Sequence, residues 1–265
     1  MCIRDRAPEF TSPDNVANIL TQITINLILA TGMTFAILIG GIDLSVGAVM
    51  ALCAVVAASV LKLDSLSEPV AIGLGILASL VVGTICGALN GFVSAFWGVP
   101  SFIVTLGMLN AARGSALEVT NARTIYDFPD SFNAFGTASV LGIPVMFLLA
   151  LALLGFGWLV LTRTVFGRMI YAIGNNEEAV RLSGHRPFTT KVLAFIVTGL
   201  CVGIAAIVYM TRLTIANPIL GIGFELNAIA AVIIGGTSLS GGRGSLVGAL
   251  LGLSLIHISE PTRPY

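Results

Sequence analysis

Charge is scarce in this chain. Thirteen Lys/Arg and thirteen Asp/Glu among 265 residues make 10%, against about 25% in an ordinary soluble domain. The two signs cancel, so no basic footprint for nucleic acid exists. Lysine is rarer still. Lys62 and Lys191 are the only two, and neither ends a G-x-x-x-x-G-K-[ST] loop, which excludes nucleotide binding by that route. Histidine is confined to His185 and His257, too few and too badly placed for a serine–histidine–acid set. Cys2, Cys53, Cys86 and Cys201 have neither metal-ligand spacing nor a pairing pattern, and three sit in apolar runs as small packing residues. No cofactor and no enzymatic chemistry are expected.

What fills the chain is hydrophobic. Apolar residues make 56%, and thirty glycines lie mostly inside the apolar runs, as close helix packing in lipid favours. Ile19–Gly40, Leu44–Leu61, Val70–Trp97, Ile143–Leu161 and Val192–Met210 have the length and composition of membrane spans, given about 20 residues for about 30 Å of hydrocarbon. Val99–Ala112 is short, and Leu226–Gly236 is half a span. Another run starts at Leu246. The half-span leads into Gly235-Gly236-Thr237-Ser238-Leu239-Ser240-Gly241-Gly242-Arg243-Gly244. Such a backbone cannot face lipid unpaired and must be buried in protein or line a wet cavity. The fold class is therefore all-α: a polytopic membrane helix bundle with short, broken or re-entrant helices. Residues 15–252 form the transmembrane domain. Residues 1–6 and 253–265 break the neighbouring patterns and read as non-native tails, similar to translated adapter sequence. On that reading spans are missing at one or both ends.

Thr162–Lys191 reads as a loop between two long apolar runs and carries Arg163, Arg168, Arg181, Arg186 and Lys191. Retained loops hold the Lys/Arg excess, so it belongs on the cytoplasmic side. Arg113–Gly142 and Lys62–Pro69 lack such an excess and fall outside, provided that Val99–Ala112 crosses. Within the basic segment Asn175-Asn176-Glu177-Glu178-Ala179-Val180-Arg181-Leu182-Ser183-Gly184 reads as a short helix. Asn175 or Asn176 caps its start, the two glutamates suit its positive end, and Gly184 takes the left-handed conformation that stops it. A helix so short needs a docking surface, with Ala179, Val180 and Leu182 as its apolar side.

Few polar residues lie at membrane depth. Asp43 is the only acid between Asp14 and Asp64, in Ile39-Gly40-Gly41-Ile42-Asp43-Leu44-Ser45-Val46-Gly47. A carboxylate there is costly unless paired, capping or facing water. Two compatible readings stand: Asp43 or Ser45 caps the helix starting near Leu44, or a broken helix marks the transport pathway. Asn90, in Gly87-Ala88-Leu89-Asn90-Gly91, could meet substrate or bond a neighbouring helix. Gly83, Gly87 and Gly91 make a flat packing face. The spacing I-G-G-x-x-L-S-x-G recurs from Ile234 to Gly242, a possible trace of internal duplication.

At these segments the chain resembles the membrane permease of ribose-type ABC importers. The likeness rests on Gly32-Met33-Thr34 with Gly40–Gly47, Leu89-Asn90-Gly91, Val99–Met108, Gly174–Gly184, and Gly223–Val232 running into Gly235–Gly242. It implies a multi-pass permease of about ten helices in the bacterial inner membrane, paired as a homodimer within the lipid bilayer. Cytoplasmic ABC ATPase subunits and an extracytoplasmic sugar-binding protein are the implied partners, and a monosaccharide is the cargo. It implies ATPase coupling through Asn176, Glu177, Glu178, Ala179, Arg181, Leu182 and Gly184. Asp43, Ser45, Asn90, Glu225 and Asn227 are the candidates for the substrate pathway. The chain departs from the family in lacking a first span and the last one or two. An ion-coupled secondary transporter using Asp43 is the alternative from another class. An ABC permease for a nucleoside, a furanose signal or an amino acid is another.

Overall fold

The computed structural model describes residues 13–63 and 65–259. Its helices are α1 (Pro13–Leu38), α2 (Val46–Leu61), α3 (Glu68–Trp97), α4 (Ser101–Thr120), α5 (Asp130–Thr137), α6 (Val145–Arg163), α7 (Val165–Leu182), α8 (Pro187–Leu213), α9 (Phe224–Ile234) and α10 (Leu246–Ser259). Ala17–Leu38, α3, α6 and α8 are long and apolar enough to cross a membrane, while α2, α9 and α10 are shorter apolar helices. The chain is a polytopic helical membrane protein. The all-α expectation omits two small pieces of antiparallel sheet, β1 (Ile125–Tyr126) with β4 (Ile215–Ala216) and β2 (Ser139–Val140) with β3 (Ile143–Pro144). The expected tail at residues 1–6 lies outside the described residues. Of 253–265, the part to Ser259 continues α10 and the rest lies outside them.

Two ends of the bundle can be told apart by their contacts. At the basic end the α1 terminus meets α7 and the α9–α10 connection, with Gly242 N–H donating to Leu38 C=O at 2.9 Å. At the far end Lys62 pairs with Asp127 at 3.2 Å, Ser131 donates to Glu68, and Arg212 donates to Thr21 C=O. Helix α4 joins the two ends. Its first residue, Ser101, shares a cavity with Lys191, and the chain just beyond Thr120 pairs as β1 with β4. The short run Val99–Ala112 is thus the first part of a 20-residue helix, about 30 Å at 1.5 Å per residue. It runs the length of the bundle from one end to the other. The segment 113–142, expected wholly as an external loop, is corrected accordingly: α4 carries Arg113 and Glu118 inside its last turns. These polar residues are what shortened the apolar run in the sequence.

Helix α2 occupies the centre. It is apolar on every side, and a helix hydrophobic all round belongs in a core. Twelve of its sixteen residues are buried, against α3, α4 and α8. The expected glycine face is a packing face. Gly83 and Gly87 of α3 lie against the carbonyls of Gly199 and Phe195 on α8, and Gly91 lies against Val192. Gly199 approaches Gly83 C=O in return, and Ser79 donates to Gly203 C=O at 2.9 Å across the same seam.

A side chain at Gly199 would overlap the Gly83 carbonyl, and overpacking of a tight core costs about 1–3 kcal/mol or more. Gly199→Leu is therefore expected to abolish the monodisperse, detergent-solubilised protein. Gly73→Leu, on α3 where nothing lies within 4 Å of an added Cβ, is expected to match the parent in yield and melting temperature.

Candidate functional site

The first candidate region is the break between α1 and α2. Helix α1 stops with Gly40 at φ +77°. Gly41 N–H donates to Ala36 C=O at 2.9 Å and Gly40 N–H to Ile37 C=O at 2.8 Å, the paired closure of a Schellman stop. The chain then runs extended beside the start of α4. Ile42 N–H donates to Ser101 Oγ at 2.9 Å and Leu44 N–H to Thr105 Oγ1 at 3.1 Å, while Thr105 Oγ1 donates to Ile42 C=O at 3.2 Å. Two hydroxyls of α4 thus replace the partners a regular helix would supply.

Asp43, Ser45 and Asn90 come together there and are all buried. Ser45 N–H and Ser45 Oγ–H both donate to Asp43 Oδ1, at 2.9 and 2.6 Å. Asn90 Nδ2 donates to Ser45 Oγ at 3.0 Å, leaving Asn90 Oδ1 without a partner. The capping expectation is corrected in form. Ser45 is the N-cap residue of α2, but its side chain accepts no helix N–H. Its hydroxyl is already engaged by Asp43 and Asn90. Asp43 accepts the N–H one residue ahead of the helix. The trio closes on itself inside the bundle and presents no surface in this conformation.

The second region is the basic segment. Most of it is helix: α7 starts with Thr164, whose Oγ1 accepts Gly167 N–H at 3.1 Å, and kinks at Asn176, which leaves helical dihedrals. Of the two asparagines it is Asn176 that caps the short helix, accepting Ala179 N–H at 2.9 Å. Asn175 serves elsewhere, donating to Tyr171 and Gly242 carbonyls. The stop is as expected. Gly184 has φ +86°, His185 N–H donates to Val180 C=O and Gly184 N–H to Arg181 C=O, a second Schellman closure. Glu177 pairs with Lys191 and Glu178 with Arg181. Ala179 is exposed and Leu182 is 80% exposed. Val180, expected on the same apolar side, is turned into the bundle and buried. In so short a helix one residue's 100° step separates inside from outside.

Glu225 and Asn227 lie outside the Asp43 trio, with the Glu225 carboxylate resting against Gly47, two residues beyond Ser45. Glu225 is half-buried in the first turn of α9, Oε1 accepting Gly223 N–H at 3.1 Å, and Asn227 is exposed. Helix α4 brings to the start of α9 a residue that sequence reasoning passed over. Arg113 Nη1 donates to Pro218 and Leu220 carbonyls at 2.9 and 2.7 Å, pinning the segment that leads into α9. Twelve residues along α4, it stands about 18 Å from Ser101. A lone arginine just past an apolar run was the available signal. Gly47 of α2 backs against Gly221 of the same segment, so α2 and α9 start side by side.

Residues 15–265 match the family described as branched-chain amino acid transport system / permease component, and the chain belongs to that family. It is 42% identical over 253 residues to the ribose import permease RbsC of Haemophilus influenzae, covering 94% of this chain and 77% of that one. It is 40% identical to RbsC of Escherichia coli, over 94% and 78%, and 38% identical to the D-allose transport system permease AlsC of the same species, over 93% and 74%. No solved structure matches. The expected likeness to ribose-type permeases is borne out, and the chain is a multi-pass permease of the bacterial inner membrane.

Removing the Asp43 carboxylate would strand the Ser45 N–H and hydroxyl in the interior, at about 1–3 kcal/mol per unsatisfied group. Asp43→Ala is expected to lower the melting temperature of the purified permease by several degrees. Asp43→Asn keeps an acceptor at the same place and is expected to melt close to the parent. Equal damage from Asn and Ala would assign the role to the charge instead.

Proposed function

We propose that this chain is the membrane subunit of a binding-protein-dependent ABC importer, forming the pathway for a monosaccharide such as ribose, powered by separate ATPase subunits. The observation that carries the reading is the short helix Glu177–Leu182 at the basic end, capped at both ends and exposing Ala179 and Leu182. Two specific caps spent on a six-residue helix with no cover on its outer side point to a docking element. The relatives' names support a monosaccharide as cargo. The family description names amino acids, but proteins 36–42% identical over about three quarters of their length are called ribose, allose and xylose permeases, and identity at that level outweighs a broad family label.

In this reading the short helix seats in a cleft of the ATPase through Asn176, Glu177, Glu178, Ala179, Arg181, Leu182 and Gly184. A second permease copy completes the pathway, and a sugar-binding protein delivers cargo at the far end. Asn227 is exposed, and Glu225 and Arg113 are half-buried near the start of α9; these are the polar groups available to a neutral sugar. Asp43, Ser45 and Asn90 hold the helix break and meet cargo only if the bundle opens. An ion-coupled transporter is the weaker reading, since the carboxylate it needs is enclosed by Ser45 and Asn90. Radiolabelled ribose, allose and xylose uptake in cells carrying the permease with its ATPase and binding protein tests the cargo; ATP-independent uptake driven by an ion gradient would overturn the class.

Orientation is checked separately. In a cysteine-free background an impermeant thiol reagent applied to intact cells should label Ser131→Cys and spare Ser183→Cys, because the Lys/Arg excess stays inside. The reverse pattern would invert the topology.

Ala179→Asp is expected to abolish co-purification of the ATPase while leaving the permease inserted. An acid suits the start of a helix, so the short helix itself survives. An uncompensated charge in a buried contact costs about 3–5 kcal/mol, more than a hundredfold in affinity. Gly184→Val should act similarly through the left-handed stop. Normal ATPase recovery with Ala179→Asp, and no crosslink from Leu182→Cys to the ATPase, would refute the docking role.

A further inference from the structure

Three pieces of backbone cross beside the short helix. Leu38–Gly41 ends α1, Gly174 and Asn175 lie in α7 just ahead of the kink, and Ser240–Gly244 belong to the α9–α10 connection. Gly242 N–H donates to Leu38 C=O, the carbonyl that the Schellman stop of α1 leaves open, at 2.9 Å. Gly174 sits on that same carbonyl and on Gly242, so that no side chain fits. Gly241, at φ +83°, packs against Gly40 N and Gly174 Cα. Two side chains of α7 then grip the connection from the other side. Tyr171 Oη–H donates to Gly244 C=O at 3.0 Å, and Asn175 Nδ2 to Gly242 C=O at 3.2 Å.

This interlock joins the two candidate regions. Asn175 is adjacent to Asn176, where the short helix begins, and Gly41 is two residues from Asp43. On the other flank a cavity of about 180 Å³ is lined by Gly40, Gly41, Ser101 and Lys191, among others, and Lys191 pairs with Glu177 of the short helix. The α1 terminus thus has backbone contact with α7 on one side and free volume on the other.

We propose that this interlock is the joint through which displacement of the Glu177–Leu182 helix reaches the α1–α2 break, with Tyr171, Gly174 and Asn175 as positioning residues for transport. The proposal rests on the ATPase-docking reading. A push on the short helix moves Gly174 and Asn175 directly, because only the Asn176 kink intervenes. Gly174 bears on Leu38 C=O, and the grip of Tyr171 and Asn175 carries the α9–α10 connection along. Leu38–Gly41 has free volume to yield into on the cavity side. The start of α2 follows, since Asp43, Ser45 and Thr105 tie the break to α2 and α4. Close-packed backbones transmit such shifts, because no flexible side chain stands between them to absorb the movement.

The test uses the permease reconstituted with its ATPase and binding protein in proteoliposomes, comparing the parent with Tyr171→Phe, Asn175→Ala and the pair combined. Tyr171→Phe keeps the ring and removes one hydrogen bond, so it is the variant least able to unfold the protein. The double variant is expected to retain ATPase co-purification and the parent melting temperature within a few degrees. ATP hydrolysis should continue, while sugar imported per ATP falls about tenfold, a coupling loss of ordinary size for linked sites. Unchanged import per ATP would overturn the joint. So would import and hydrolysis falling together with the melting temperature, the mark of a purely structural contact. If the parent permease itself fails to bind the ATPase, the docking reading fails first and the joint with it, an outcome distinct from either of these.

Discussion

Every break in a helix at membrane depth must find partners for its freed N–H and C=O groups within the protein. The architecture here follows from that constraint. Helix α1 closes the Ala36 and Ile37 carbonyls by a glycine turn, and the Leu38 carbonyl is met by Gly242. The extended stretch after it is paired by Ser101 and Thr105 of α4. The segment before α9 is held by Arg113. Each solution requires another element at a fixed place, so the breaks determine which helices must be neighbours. Short helices become possible only because these neighbours exist.

Much of this was legible in the sequence. Apolar runs located the spans, because composition is nearly sufficient where lipid is the solvent. The caps of the short helix were legible too, since Asn and Gly at its two ends have few other uses in a basic, water-facing segment. Two things were not. The extent of α4 was hidden because Asn110, Arg113 and Glu118 lower its hydropathy, and only the observed contacts of Arg113 explain why a charge is tolerated there. The facing of Val180 was hidden because a helix of six residues is too short for its periodicity to be read.

The repeated I-G-G spacing is instructive in a different way. Both copies end a helix with a Schellman closure, but the left-handed residue is Gly40 in one and Gly236 in the other. These are the second and third letters of the motif. The stops are offset by one residue, and both lie on the same side of the bundle. The likeness reflects one local device used twice rather than equivalent positions of a duplicated unit. Asp43 shows the same limit. Sequence singled it out, but its bonding depends on Ser45 and Asn90, which no spacing rule brings together.

Helix α2 has sixteen residues, twelve of them buried and the other four, Leu52, Val56, Ser59 and Val60, half-buried. Bilayer thickness acts on proteins through the mismatch between lipid tails and the hydrophobic length of the helices that touch them. A helix packed against α3, α4 and α8 is shielded from that fit over most of its surface. A thinner or thicker membrane tilts the outer helices, α3 and α6 above all, whose spans are the least buried. The central segment keeps its own length and answers only to its neighbours. The permease therefore sets the outer spans matched to lipid apart from the central helix beside the break, and a change in lipid composition reaches that helix through the α3, α4 and α8 surfaces packed against it.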